Sequence, residues 1–126
     1  MKEQIRNLRL EEEFYTPERC YIIEQLNSPE DPHASIARAR VPPGITTRWH
    51  RLATTTERYY VLSGRGLVEV GELAPRDVGP GDVVLIPPMC RQRITNTGLD
   101  ELIFLAICTP RFVDTEYQDL EDVKPS

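Results

Sequence analysis

Gly44-Ile-Thr-Thr-Arg48-Trp-His50-Arg-Leu52-Ala-Thr-Thr-Thr-Glu57-Arg-Tyr59-Tyr-Val-Leu-Ser-Gly64 is the stretch on which the reading turns. Its fixed points are Gly44, five residues, His50, one residue, Leu52, four residues, Glu57, six residues and Gly64. A second stretch follows the same logic. It runs Gly81, five residues, Pro87-Pro88-Met89, two residues, Gln92, three residues, Asn96. Glycines and prolines bound both, and β-branched and aromatic residues fill them, as in strands between tight turns.

Outward from these stretches the pattern repeats. Arg19–Leu26, Ala34–Val41, Ile45–Leu52, Thr56–Leu62, Leu67–Val70, Asp82–Ile86, Arg91–Thr95 and Glu101–Cys108 read as strands. Turn clusters separate them, among them Asn27–Pro32, Pro42–Gly44, Ser63–Gly66, Gly79–Gly81 and Asn96–Asp100. Eight or nine strands at roughly ten-residue spacing suit a sandwich or barrel. The 11 prolines exceed the roughly 6 that average usage gives, and proline breaks helices. A short helix near Asp114–Glu121 is the one helical signal.

The two stretches resemble the paired motifs of the cupin superfamily. The first is similar to glycine, five residues, His-x-His, three or four residues, Glu, six residues, Gly. The second is similar to Gly, five residues, Pro-x-Gly, two residues, His, three residues, Asn. The resemblance covers residues 44–96 and implies an all-β cupin double-stranded β-helix, a jelly-roll barrel. The rest of the chain then supplies flanking strands of one domain over 1–126, with an arm over 1–13 and an acidic tail over 113–126. Three positions depart from the pattern: Leu52 and Gln92 stand where the family has His, and Met89 where it has Gly.

Cupins usually hold one divalent metal through three His and one Glu. The resemblance therefore implies a variant metal site at His50, Glu57 and Gln92, for Mn, Fe, Ni or Zn. An amide oxygen is a weaker ligand than imidazole, so such an ion is loosely held. The alternative is a metal-free pocket in which His50 and Glu57 bond each other or a ligand. Strand alternation puts Arg48, His50 and Leu52 on one face, and Glu57, Tyr59 and Val61 on one face. Arg48 and Tyr59 are candidate substrate-binding residues. Arg48 is a clamp for a carboxylate or phosphate, a partner in an ion pair with Glu57 or another acid, or a residue that points outward in another register. Tyr59 is either a ligand contact or packing. No catalytic residue is assigned. Phe112 and Tyr117 are candidates to cover one barrel mouth, with the tail acids in water.

The counts exclude other classes. Two histidines, His33 and His50, rule out a three-histidine site from one chain. Three cysteines without a C-x-x-C pair rule out a four-cysteine zinc site and a disulfide framework. Net charge is −5, of which residues 113–126 carry −4, and 13 Arg and 2 Lys are interleaved with acids. No basic patch for nucleic acid emerges. The longest apolar run, Leu102–Cys108, has 7 residues, where a membrane helix needs about 20. The first residues lack a signal-peptide apolar segment, so the expected location is the cytoplasm.

Two functions fit these residues. One is a metal-dependent enzyme acting on a small polar molecule of the sugar or keto-acid type. The other is a non-catalytic small-molecule-binding cupin with a degenerate metal site. A purely structural role fits less well, because His50 and Glu57 occupy positions that a site-free core would fill with apolar residues. Ile5, Leu8 and Leu10 in the polar arm suggest a homodimer through strand exchange.

Overall fold

The computed structural model of the chain describes residues 1–121; Asp122 and Lys124 of the acidic tail lie outside the described residues. The strands are β1 (Phe14–Tyr15), β2 (Tyr21–Leu26), β3 (Ser35–Val41), β4 (His50–Leu52), β5 (Thr56–Ser63), β6 (Gly66–Val70), β7 (Arg76–Val78), β8 (Val83–Ile86), β9 (Gln92–Asn96), β10 (Leu102–Thr109) and β11 (Tyr117–Asp119). One sheet has the order β1-β2-β3-β10-β5-β8 and the other β11-β4-β9-β6-β7. All pairs are antiparallel. This is the all-β barrel of two facing sheets that the spacing implies.

Period-two alternation sends one side of each strand into the core. In β10, Leu102, Phe104, Ala106 and Cys108 are buried while their neighbours are half-buried. In β5, Glu57, Tyr59 and Val61 point inward. In β9, Gln92, Ile94 and Asn96 do so. Val61, Phe104, Val68 and Ile94 belong to one apolar cluster that joins the two sheets. Each such fully buried side chain contributes roughly 1.5–3 kcal/mol.

The turn residues of the two motifs have local reasons. Gly64 sits at φ +86°, and a Cβ there would lie 2.5 Å from the Glu101 carbonyl oxygen. No other residue fits that approach of backbone to backbone. Asn96 is buried and pins the turn that follows it. Its Nδ2 donates to the carbonyls of Val41 and Asp100, each at 2.8 Å, and its Oδ1 accepts from the Gly98 N–H at 2.9 Å.

Two sequence expectations change. The strand read at Ile45–Leu52 contracts to His50–Leu52, because residues 47–49 leave the ladder. The helix read near Asp114–Glu121 is a 3-10 turn, Asp114–Glu116, followed by β11. β11 pairs with β4, Tyr117 opposite Leu52 and Asp119 opposite His50. The tail acids are therefore anchors. Glu116 accepts from the Thr54 and Thr55 hydroxyls at 2.6 and 2.7 Å. Glu121 pairs with Arg19 at 2.7 Å.

Candidate functional site

His50 and Gln92 are cross-strand partners of β4 and β9 in one sheet. Glu57 and Tyr59 project from β5 in the other. Their inward faces meet inside the barrel, where Gln92 is fully buried and His50, Tyr59 and Glu57 are nearly so.

A chain of hydrogen bonds crosses between the sheets. The Tyr59 hydroxyl donates to Gln92 Oε1. Gln92 Nε2 donates to Glu57 Oε1 at 2.7 Å. The Cys108 thiol donates to Glu57 Oε2 at 3.8 Å. On the far side, His50 Nδ1 lies 2.8 Å from the Arg48 carbonyl oxygen. A carbonyl only accepts, so Nδ1 carries a proton and Nε2 is left for other partners. The His50 ring stacks on Tyr117 with centroids 5.0 Å apart.

Burial pushes the Glu57 carboxyl above the usual carboxylate range. The charge of His50 and the bond from Gln92 work in the opposite direction. Burial also raises the Tyr59 phenol. Among other groups lining the space, Glu18 is pushed up to about 7 by burial.

The space these side chains enclose is a cavity of about 390 Å³, within the range of small-molecule sites. His50, Leu52, Glu57 and Tyr59 line its barrel end. Its outer wall comes from two segments far apart in sequence. Phe14, Glu18 and Cys20 come from β1 and the turn after it, and Phe112, Asp114 and Tyr117 from the tail. Sequence reasoning named Phe112 and Tyr117 but missed Glu18. Thr16-Pro-Glu18-Arg19 reads as a surface turn, and only the fold brings it against the barrel.

Arg48 is a correction. It does not line the cavity; its guanidinium pairs with Asp119 at 3.1 Å. The irregular residues 47–49 break the alternation, so Thr47 faces the cavity in its place. Of the readings of Arg48, the geometry has the ion pair, with the side chain turned away from the cavity. His33 lies exposed, away from the cavity.

The donor set bears on the ion that the resemblance implies. A three-residue ligand set needs the Gln92 amide oxygen, and that oxygen accepts from Tyr59. Gln92 Nε2, a donor with no lone pair to offer an ion, faces Glu57. His50 Nε2 and the Glu57 carboxylate remain as two donors. Among the described residues no group of three or more His, Cys, Asp or Glu side chains is placed to hold an ion. The expected set His50, Glu57 and Gln92 thus does not fit a metal as arranged.

The cupin-domain family model matches residues 37–108, more than half of the chain. The chain is a cupin. This cupin is 36% identical over 87 residues to the uncharacterized protein MJ1618 of Methanocaldococcus jannaschii, covering 69% of each chain. It is 40% identical over 63 residues to the glucose-6-phosphate isomerase of Thermococcus gammatolerans, covering 47% of this chain. The matched part spans only 33% of that enzyme's length. Among solved structures, the cupin shares its fold with Pac13 of Streptomyces, a nucleoside dehydratase. The TM-score is 0.76 at 18% identity, covering 94% of this chain and 92% of that one.

Proposed function

We propose that this cupin binds a small polar organic molecule in the barrel cavity and presents His50 and Glu57 to it as a proton-transfer pair. The observation that carries the reading is the pairing of the two groups on the cavity wall. His50 is held through Nδ1, which leaves Nε2 for a ligand. Glu57 is held through Oε1 by Gln92, and its Oε2, met by the Cys108 thiol at 3.8 Å, keeps lone pairs for a ligand. Burial moves the Glu57 carboxyl toward neutral pH, which suits a group that exchanges protons. The Tyr59–Gln92 relay fixes the carboxylate's orientation and is a positioning device. The relatives named as an isomerase of a sugar phosphate and a dehydratase of a nucleoside support a sugar-type ligand. A keto acid is less well served, because Arg48 is engaged elsewhere.

A second reading, a divalent ion on His50 Nε2 and Glu57, is favoured by one observation. A histidine whose Nδ1–H is tied to a backbone carbonyl is oriented as metal-ligating histidines are. Elemental analysis of purified protein separates the two. The first reading expects well under a tenth of an equivalent of Mn, Fe, Ni or Zn, unchanged in His50→Ala. About one equivalent, lost in His50→Ala, overturns it in favour of the ion. Turnover of a sugar and nucleoside panel, with Glu57→Gln losing at least about 100-fold in kcat, separates an enzyme from the non-catalytic alternative. A homodimer and a cytoplasmic location complete the proposal. The free state of Cys20, Cys90 and Cys108 supports the latter.

A further inference from the structure

The charge of the cavity wall is one-sided. Glu18, Glu24, Glu57 and Asp114 line it, and among the described residues no Lys or Arg does. The arginines nearest in the fold are committed elsewhere. Arg19 pairs with Glu121 at 2.7 Å, Arg48 with Asp119 at 3.1 Å, and Arg111 bonds Asn27 Oδ1 at 2.9 Å. His50 is the one basic side chain on the wall. Between the acids the wall is apolar and aromatic, with Phe14, Phe104 and Phe112 contributing ring surface. The Tyr117 hydroxyl is buried with no hydrogen-bond partner.

From this geometry we infer that the cavity selects a small organic cation, a protonated amine on an apolar or ring-shaped body, and rejects carboxylates and phosphates. The inference rests on the small-molecule reading of the site and narrows its ligand class to an amine-bearing body, an amino sugar included, in place of a sugar phosphate. Among the described residues, an anion in this space meets four acidic side chains and no guanidinium or ammonium. Like charges repel more strongly in a partly desolvated site than in water. An ammonium reverses that sign. It gains the carboxylates as charge-assisted acceptors and the aromatic faces as cation–π partners. Phenyl rings beside carboxyls also suit an organic body better than a hydrated inorganic ion, which gains nothing from apolar walls. Burial acts on two of the acids. Burial raises Glu18 to about 7. Burial raises Glu24 as well, its bond from Asn27 lowers it, and the charge of Asp114 adds to the rise.

The charge of a single ring-bearing scaffold tests this. Benzylamine, benzyl alcohol and benzoate are titrated into the full chain by calorimetry and by amide NMR, in Mn-free and Mn-containing buffer. Benzylamine is expected to bind about tenfold more tightly than benzyl alcohol, with benzoate not binding, and to shift the amides of Glu57 and Tyr117. Glu18→Gln and Asp114→Asn are each expected to weaken benzylamine by roughly three- to tenfold and to leave benzyl alcohol unchanged. Asp77→Asn, at an exposed position outside the cavity, is expected to change neither. Benzoate binding as tightly as benzylamine, or amide shifts with Mn alone and none with the amine, overturns the inference. If benzoate or a neutral sugar saturates the cavity and benzylamine does not, the charge assignment falls and the small-molecule reading stands. If no probe of any charge saturates it, both fall.

Discussion

Glu18 stands in the cavity wall with burial acting on its carboxyl. Its proton affinity has a consequence for stability whose sign is fixed by linkage. The unfolded chain releases this proton near pH 4.5, while the folded chain holds it until about 7. Between those values the folded state carries more protons, so this residue's contribution falls as pH rises and stays unfavourable above pH 7. Glu18→Gln removes the effect. We expect its Tm to match the wild type near pH 4.5 and to exceed it by roughly 10 °C at pH 8. A difference independent of pH between those two values counts against the buried carboxyl. The residue also shows what spacing does not carry. Gln92 falls at the right offset from Gly81, but its use is decided by Tyr59 and Glu57 on the opposite sheet. Glu18 has no motif around it, so nothing along the chain distinguishes it from the surface acids. His50, Glu57 and Tyr59 were legible because they sit on regular strands with fixed alternation.

The turn between β8 and β9 shows an element-scale trace of the departures from the family pattern. Met89 occupies the position where the motif has glycine, and its φ is +64°. The backbone has kept the left-handed conformation that glycine adopts freely, and a side chain there costs about 1–2 kcal/mol. The Met89 N–H still donates to the Leu52 carbonyl at 2.7 Å, which ties the turn to β4. The side chain is half exposed, so its removal loses little packing. Met89→Gly is therefore expected to stabilise the protein by roughly 1 kcal/mol in urea unfolding. A loss of stability sinks the strain argument. Elsewhere, strand alternation was readable for β3, β5, β9 and β10 because each is buried on one face. It failed at residues 47–49, where the chain leaves the ladder, and at β11, whose three residues make sense only beside β4. A three-residue strand is too short to announce itself by pattern.

At the scale of the whole molecule the unused surface is the outer face of β5 and β8. Tyr60 and Val83 are cross-strand partners, and with Leu62 and Leu85 they leave four large apolar side chains exposed. β8 is also the end of its sheet, an unpaired edge. The arm that the sequence offered for dimerisation lies against its own chain: Gln4 bonds Glu30 at 3.1 Å, and Gln25 bonds the Arg6 carbonyl at 3.0 Å. The proposed homodimer would cover that face by pairing β5 and β8 about a two-fold axis. Light scattering after size exclusion is expected to give a dimer for the wild type. It is expected to give a monomer for Val83→Lys with Leu85→Lys, and an unchanged dimer for Ile5→Ser with Leu8→Ser. The reverse outcome for the two variants returns the interface to the arm. Composition gave no access to this, since exposure of an apolar residue depends on which face of a strand lacks a neighbouring layer.

The cavity wall has two origins. The barrel end belongs to the stretch matched as a cupin domain, residues 37–108, while Phe14, Glu18, Glu24, Phe112, Asp114 and Tyr117 all fall outside it. What this chain shares with its family and what forms the outer half of the cavity are thus encoded in different parts of the gene. Mutations in the outer part can change the chemical preference without disturbing the barrel that holds His50 and Glu57. Two chains equally similar over the shared stretch can then diverge in diet while keeping the same skeleton, and kinship alone is a poor guide to what either one takes in.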